Sequence, residues 1–282
     1  MPTYDSENYI KTCIDSILEQ SYQNYEIIII DNQSSDGTLN IINSYKSEKI
    51  KFFSIQNKGQ VSLSRNLGIK NAQGDWLAFL DSDDYWYKDK LMHIMKNFSS
   101  KYDFIFHDMD TMIENKFIKQ RPRLKKNIPK KNLIEYLLVN GNPIANSSVI
   151  VKKYLLESIG YIAEEQPSFT IDYHTWLKIS LVSQDYYHCN KTFGVYRTHK
   201  KNLSSQVSTS KYYFKILNHF KNSISRNAYK KALGYYSYLK FCEIISTKNK
   251  SGFYTFFKRS MNLSTIKIKI KTIIEILLSI FK

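Results

Sequence analysis

Apolar positions recur at two periods along the first hundred residues, and each change of period marks an element. Tyr9, Ile10, Cys13, Ile14, Ile17 and Leu18 fall at helical spacing, with Ser6 ahead of them as a candidate cap. Tyr25 to Ile30 is almost wholly apolar and fits a central parallel strand. It ends in the turn-rich run Asp31 to Thr38, after which Leu39, Ile41, Ile42 and Tyr45 predict a second helix. Lys51 to Ile55 reads as a strand, Gln60 to Asn71 as a helix, and Gly74 breaks the chain before a strand at Trp76–Leu80. Strands alternating with helices through short connections predict an α/β fold, with a doubly wound, mostly parallel sheet flanked by helices.

The second half repeats this alternation less regularly. Tyr102 to His107 predicts a strand, and residues 114–131 carry eight basic side chains against one acid, with Pro122 and Pro129, as in an exposed loop. Helical spacing resumes at Asn132, a strand is expected near Ser147–Val151, a helix over Ile171–Leu181 and an extended run over Tyr186–Tyr196. Beyond Ser205 the chain is rich in Lys, Tyr and Ser and reads as several helices. The expected division is a domain over 1–205, with halves 1–100 and 101–205, and a basic helical tail over 206–282.

Charge sharpens that division. The tail holds fifteen Lys/Arg and two acids, Glu243 and Glu275, whereas residues 1–205 hold 26 basic and 23 acidic residues. A basic tail suits either nucleic acid or an anionic membrane. No nucleic-acid motif accompanies the charge. On a helix, Ile266, Ile270, Ile273, Ile274, Leu277, Leu278 and Phe281 share one stripe with Lys267, Lys271 and Glu275 to the side. That pattern predicts peripheral association with a membrane surface, against the alternatives of packing on the tail's own core or a dimer contact. The absence of a long apolar run or a signal-like start, and three scattered cysteines (Cys13, Cys189, Cys242), place the expected site of action in the cytoplasm, on the inner face of the cell membrane.

The densest chemistry is at Trp76-Leu77-Ala78-Phe79-Leu80-Asp81-Ser82-Asp83-Asp84, where three carboxylates follow a buried-type strand. Three acids at one strand end repel, so something positive is expected among them. Strand ends are also where α/β sheets bind ligands. The loops at Pro2-Thr3-Tyr4, Asp31–Thr38 and Asp81–Asp84 are expected at the same edge. Together they offer what a nucleotide needs: an aromatic face (Tyr4), a polar edge (Asp31 or Asn32), a carboxylate for the ribose (Asp81) and a carboxylate, Asp83, for Mg²⁺ or Mn²⁺ beside a diphosphate. Glycine-loop phosphate motifs are absent.

Pro2-Thr3-Tyr4, Glu26 to Thr38, Ser64-Arg65-Asn66-Leu67-Gly68 and Phe79 to Asp84, in that order, resemble the family 2 glycosyltransferases. The resemblance is close over residues 2–90 and looser to about 205. It implies a GT-A fold, a nucleotide-sugar donor, inversion at the anomeric centre and a setting in bacterial surface-polysaccharide synthesis, with a lipid-linked or glycan acceptor. It implies Thr3, Tyr4 and Asp31 at the nucleoside, Asp81 near the ribose and Asp83 on the metal, with Asp84 organising the loop. Asn146 to Val151, Gly160-Tyr161 and Ile171-Asp172-Tyr173-His174-Thr175-Trp176 are similar to the segment carrying the family's catalytic acid, so Asp172 is the expected base, or else a plain helix cap. Arg65 is expected either at the diphosphate or in a helix-surface salt bridge. Asn66 is expected to be support, and Arg197 and His199, followed by Ser204-Ser205, a lid over the donor or a solvated loop. His107 and Asp108 are expected to border the acceptor site, unless the histidine is structural, and Trp176 either lines that site with Tyr173 or, as expected, belongs in the core.

Three departures qualify the resemblance. The chain starts where relatives have an apolar first strand, so that strand is expected to be truncated. Ile171 replaces a usual Glu, and Asn32 stands where a second Asp is common, which specifies UDP over dTDP less firmly, although a UDP-sugar is still the expected donor. The rival readings are a nucleotidyltransferase, which would need a Gly-rich basic loop where Pro2–Asn8 has none, and a non-catalytic protein binding carbohydrate or a partner transferase.

Overall fold

The computed structural model describes residues 1–113, 116–118, 128–167, 170–199, 209–247 and 252–280. Most of the basic loop expected over 114–131, and Ser204, Ser205 and Phe281, lie outside the described residues. The chain divides into two compact units, Met1–Lys130 with Pro143–Ser205, and Lys131–Asn142 with Gln206–Lys282.

In the first unit β1 (Pro2–Thr3), α1 (Ile10–Leu18), β2 (Ile27–Asp31), α2 (Thr38–Ser44), β3 (Ile50–Ser54) and α3 (Val61–Asn71) form a parallel three-stranded sheet in the order β1-β2-β3 with its helices. Strand β2 is a run of isoleucines, buried nearly throughout, as a strand covered on both faces must be. Strand β1 is short: Pro2 aligns with Ile30 and Thr3 with Asp31. Backbone bonds from Ile30 N to Met1 O and Asn32 N to Thr3 O, both 2.9 Å, hold it in place. Ser6 does not cap α1 with its side chain. The helix begins three residues later than the cap reading requires, and the Ser6 hydroxyl instead meets Tyr4 O and Ser82 Oγ.

The unit continues through β4 (Trp76–Ala78), β5 (Tyr85–Trp86), α4 (Lys90–Phe98), β6 (Phe104–Ile113) and β7 (Lys116–Ile118). Helix α5 (Leu133–Asn140) groups with the second unit, so the segment Lys131–Asn142 departs from the domain read over 1–205. The first unit resumes with β8 (Val149–Lys152), α6 (Lys153–Ser158), α7 (Ile171–Val182) and β9 (Tyr186–Thr198). The second sheet runs β4-β8-β6-β9-β5, with β7 paired to β6. Parallel pairing describes the first sheet, but the second is mixed: β8 is antiparallel to both β4 and β6, while β6 and β9 are parallel. An apolar run such as Val149–Val151 reads alike in either direction, so its pattern does not encode its sense. Ile10, Cys13, Ile14 and Ile17 of α1 pack with Ile27, Ile29, Leu80, Trp86, Ile94 and Ile150 in one core that joins both sheets. At Gly194 a Cβ would stand 2.7 Å from Tyr85 O, so glycine permits β9 to close on β5.

The second unit is helical: α5 with α8 (Thr209–His219), α9 (Arg226–Thr247), α10 (Phe253–Leu263) and α11 (Ile266–Ile280). Helix α9 buries Ala228, Ala232, Gly234, Ser237, Phe241 and Ile244 on one face. No described helix is long and apolar enough to cross a membrane.

Candidate active site

The three strand-end loops meet as expected. Asp31 is fully buried, and its carboxylate accepts from Ser34 N at 2.9 Å and Ser34 Oγ at 2.5 Å, a self-closed turn that fixes the end of β2. Asn32 Oδ1 accepts from Asn57 N at 2.7 Å and so ties that loop to the one after β3. Thr3 lies across from Asp31, and its Oγ1 is buried with no hydrogen-bond partner, while Tyr4 is 58% exposed with its ring open to solvent. Asp5 N donates to Ser34 Oγ, and Ser6 Oγ meets Ser82 Oγ at 2.9 Å. The first loop is therefore bonded to both of the others.

Basic side chains stand among the three acids: Arg65 bonds Asp81, His199 bonds Asp83, and Lys90 lies beneath Asp84. Arg65, on α3, donates from Nη2 to Asp81 at 2.7 Å and from Nη1 to Asp172 at 2.6 Å. Its side chain is only 6% exposed, so the pair it forms is buried rather than a surface salt bridge. Burial works against the guanidinium charge, but Asp172 and Asp81 overcome it and raise the pKa above its ordinary value. Asp81 also accepts from Asn146 Nδ2 at 2.9 Å, and its amide donates to Ser147 Oγ. Asp172 sits in the first turn of α7, past the cap position at Thr170, with its side chain 30% exposed. Its carboxylate thus stands at the surface of the site while its partner Arg65 is buried behind it.

Asp83 is served from β9. His199 Nε2 lies 3.0 Å from Asp83 Oδ2, Tyr9 stacks on the imidazole at 5.0 Å, and Arg197 lies over the rings of both Tyr9 and Tyr85. Arg197 also donates from Nη1 to Asp83 O and from its amide to Asp84 Oδ1 at 2.9 Å. Asp84 is fully buried and accepts from Ser147 Oγ at 2.6 Å. Burial, then the charges of Asp83 and Asp81, push its carboxyl well above the usual range. Beneath it Lys90 is wholly buried, with Nζ 3.0 Å from Ser147 O and 3.5 Å from the centre of the Trp86 ring. Burial lowers the Lys90 pKa, an effect that Asp84 opposes. Asp84 and Lys90 therefore build the loop from below and leave Asp81 and Asp83 facing outward.

Among the described residues no group of three or more His, Cys, Asp and Glu is gathered to hold a metal. Asp83 and His199 nevertheless fit one: a carboxylate oxygen and an imidazole nitrogen, adjacent and both partly exposed. A hard divalent cation bound mainly by substrate phosphates needs only one or two protein ligands. Asn66 proves to be support, bonding Ile162 N, Ile162 O and Glu164. Trp176 is buried in the core, and His107 and Asp108 are buried too, with Asp108 paired to His188 at 2.9 Å. Sequence reasoning passed over Asn146, Ser147, Tyr9 and Tyr85. The turn Asn146-Ser147-Ser148 carried a signal, since three polar residues before an apolar strand are poorly suited to burial unless they bond a neighbour.

The model of the glycosyl transferase family 2 matches residues 1–160. The chain is 30% identical over 212 residues to the putative teichuronic acid biosynthesis glycosyltransferase TuaG of Bacillus subtilis, covering 72% of this chain and 79% of that one. It is 30% identical over 182 residues to the UDP-Glc:alpha-D-GlcNAc-diphosphoundecaprenol beta-1,3-glucosyltransferase WfgD of Escherichia coli, covering 64% and 67%. Among solved structures, TarS of S. aureus, residues 1–349 in complex with UDP-GlcNAc, overlays 95% of this chain and 81% of that chain, with a TM-score of 0.70 at 19% identity. That likeness shows the fold.

Proposed function

Because the chain belongs to glycosyltransferase family 2, we propose that it is a metal-dependent inverting transferase. It passes a hexose or N-acetylhexosamine from a nucleotide sugar, UDP-linked in our reading, to a lipid-linked or polysaccharide acceptor in cell-surface glycan synthesis. The observation that carries this is the shared guanidinium: Arg65 holds Asp81 and Asp172 at 2.7 and 2.6 Å, side by side.

In this reading Thr3, Tyr4, Asp31 and Asn32 receive the nucleoside, with the exposed Tyr4 ring beneath the base and the unpartnered Thr3 hydroxyl available to it. Asp81 faces the ribose. Asp83 and His199 would hold Mg²⁺ or Mn²⁺, which when bound would supply Lewis-acid stabilisation of charge on the departing diphosphate. Asp172 takes the proton from the acceptor hydroxyl. The acceptor oxygen bonds to the anomeric carbon as the bond to the diphosphate breaks on the opposite face, which inverts the centre. A positioned base of this kind contributes about 10²–10⁴-fold. Arg197 and His199 close over the donor and exclude water. Arg65 aims Asp172 without touching substrate.

The acceptor and donor choices are supported by WfgD, whose name gives a UDP-sugar donor and a diphosphoundecaprenol acceptor, and by TuaG, whose name gives teichuronic acid biosynthesis. Such acceptors put the enzyme at the inner face of the cell membrane, and we assign the contact with anionic lipid to the basic tail, residues 206–282. The test is a panel of UDP-, dTDP- and GDP-sugars assayed for Mn²⁺-dependent hydrolysis and for transfer to a diphosphate-linked lipid. Activity with one donor class that disappears on chelation supports the reading. Absence of turnover on the whole panel with metal present overturns it.

A further inference from the structure

Helix α11 leaves its apolar face uncovered, and its packing fixes which face that is. Ile268 and Thr272 are fully buried, and Thr272 Oγ1 bonds Ser260 Oγ of α10 at 2.7 Å inside the second unit. The α10–α11 corner is pressed onto α9: a Cβ on Gly234 would lie 2.3 Å from Ser264 N. These contacts set the rotation of α11 about its axis. On the opposite side Ile266, Ile270, Ile273, Ile274, Leu277 and Leu278 are between 44% and 76% exposed. At about 100° per residue they occupy one continuous arc of roughly 140°. Six adjacent large aliphatic side chains form a patch that a monomer in water does not normally keep.

Charge identifies what covers it. Lys267 and Lys271 are exposed along one edge of the arc, and Lys269 stands at the other. Lysines bracketing an apolar face match anionic headgroups around an acyl boundary. A second copy of α11 packed in parallel would bring the same lysines against one another. Over its 15 described residues the helix is about 22 Å long, short of the roughly 30 Å of a hydrocarbon core.

We propose that α11 is a pre-set interfacial helix that lies in the plane of an anionic bilayer, with the Ile266–Leu278 stripe in the acyl boundary and Lys267, Lys269 and Lys271 at the headgroups. This deepens the assignment of the lipid contact to the tail and rests on that part of the proposed function, whereas the transfer chemistry rests on the residues of the first unit, so vesicle binding and donor hydrolysis fail separately. The stripe is already helical and exposed before contact, so binding needs no folding step.

The experiment is co-sedimentation of the full chain with vesicles of equal parts phosphatidylcholine and phosphatidylglycerol, and with phosphatidylcholine alone. Mn²⁺-dependent donor hydrolysis is measured on the same samples. The wild type is expected to pellet with the anionic vesicles and to release in high salt. I270E/I274E should lower partitioning roughly a hundredfold, and K267Q/K271Q about fivefold per lysine, with circular dichroism and hydrolysis unchanged in both. Undiminished vesicle binding by I270E/I274E overturns the proposal. So does equal binding of the wild type to neutral vesicles, or a dimer in sedimentation that I270E/I274E converts to monomer, which would assign the stripe to a second copy.

Discussion

Arg65 and Asp172 form an ion pair of 2.6 Å between residues 107 positions apart, and the same guanidinium holds Asp81 at 2.7 Å. One buried cation thus couples the carboxylate we assign to the donor ribose with the one we assign to the acceptor hydroxyl.

Replacing Arg65 tests that coupling. Arg65→Met should weaken donor binding through Asp81 and slow turnover through Asp172, each by about tenfold to a hundredfold, the worth of a hydrogen bond to a charged group. Arg65→Lys keeps the charge but loses the two-pronged fork. It should restore part of the donor affinity and less of kcat. Isothermal titration with the nucleotide, set beside steady-state kinetics, separates the two effects; equal recovery of both would point to a purely structural Arg65.

The metal assignment predicts a loss of metal affinity that needs no turnover to see. Asp83→Asn and His199→Ala should each weaken Mn²⁺ binding in the presence of the nucleoside diphosphate, the former by more because it removes a charge. Electron paramagnetic resonance of Mn²⁺ reads this directly. Unaltered affinity in Asp83→Asn would place the ion elsewhere.

His107 carries a pH prediction. Burial, with the nearby Lys90 charge, holds its pKa well below the ordinary 6.5. Above about 6.5 both folded and unfolded chains keep it neutral and its contribution to stability is complete. As pH falls below that value the unfolded chain takes up a proton that the folded chain refuses, so stability is lost. Denaturant melts of the wild type and His107→Gln should diverge by about 1 kcal/mol per pH unit on acidification. Parallel pH profiles would mean that His107 is protonated in the fold.

At Gly194 an added methyl has no room beside Tyr85 O, Trp86 and Met109. Gly194→Ala should cost about 1–3 kcal/mol of stability, as overpacking generally does, and should disturb the Asp81–Asp84 loop through β5. Chemical denaturation measures the first effect and nucleotide titration the second.

Much of the first sheet was legible because Ile27–Ile30 and its polar terminus state both burial and direction of use. The Asp81–Asp84 loop was legible for the same reason: charge is costly at a buried strand end unless something there needs it. What the pattern could not carry is partnership over long separations. Arg65 is one basic residue among 41 Lys and Arg, and nothing at its position announces two carboxylates 16 and 107 residues away. The sense of β8 and the grouping of α5 with the second unit were hidden likewise, since an apolar run does not say which neighbour it packs against. The stripe on α11 was readable as a pattern, yet only the burial of Ile268 and Thr272 decides that it faces outward.

The central claim is that Asp172, aimed by Arg65, removes the acceptor proton in an inverting transfer. It is tested most directly by single-turnover transfer from the accepted nucleotide sugar in Asp172→Asn, with donor affinity measured in parallel. The account predicts a rate lower by about 10²–10⁴-fold with donor affinity preserved. Transfer at the wild-type rate in Asp172→Asn would contradict it.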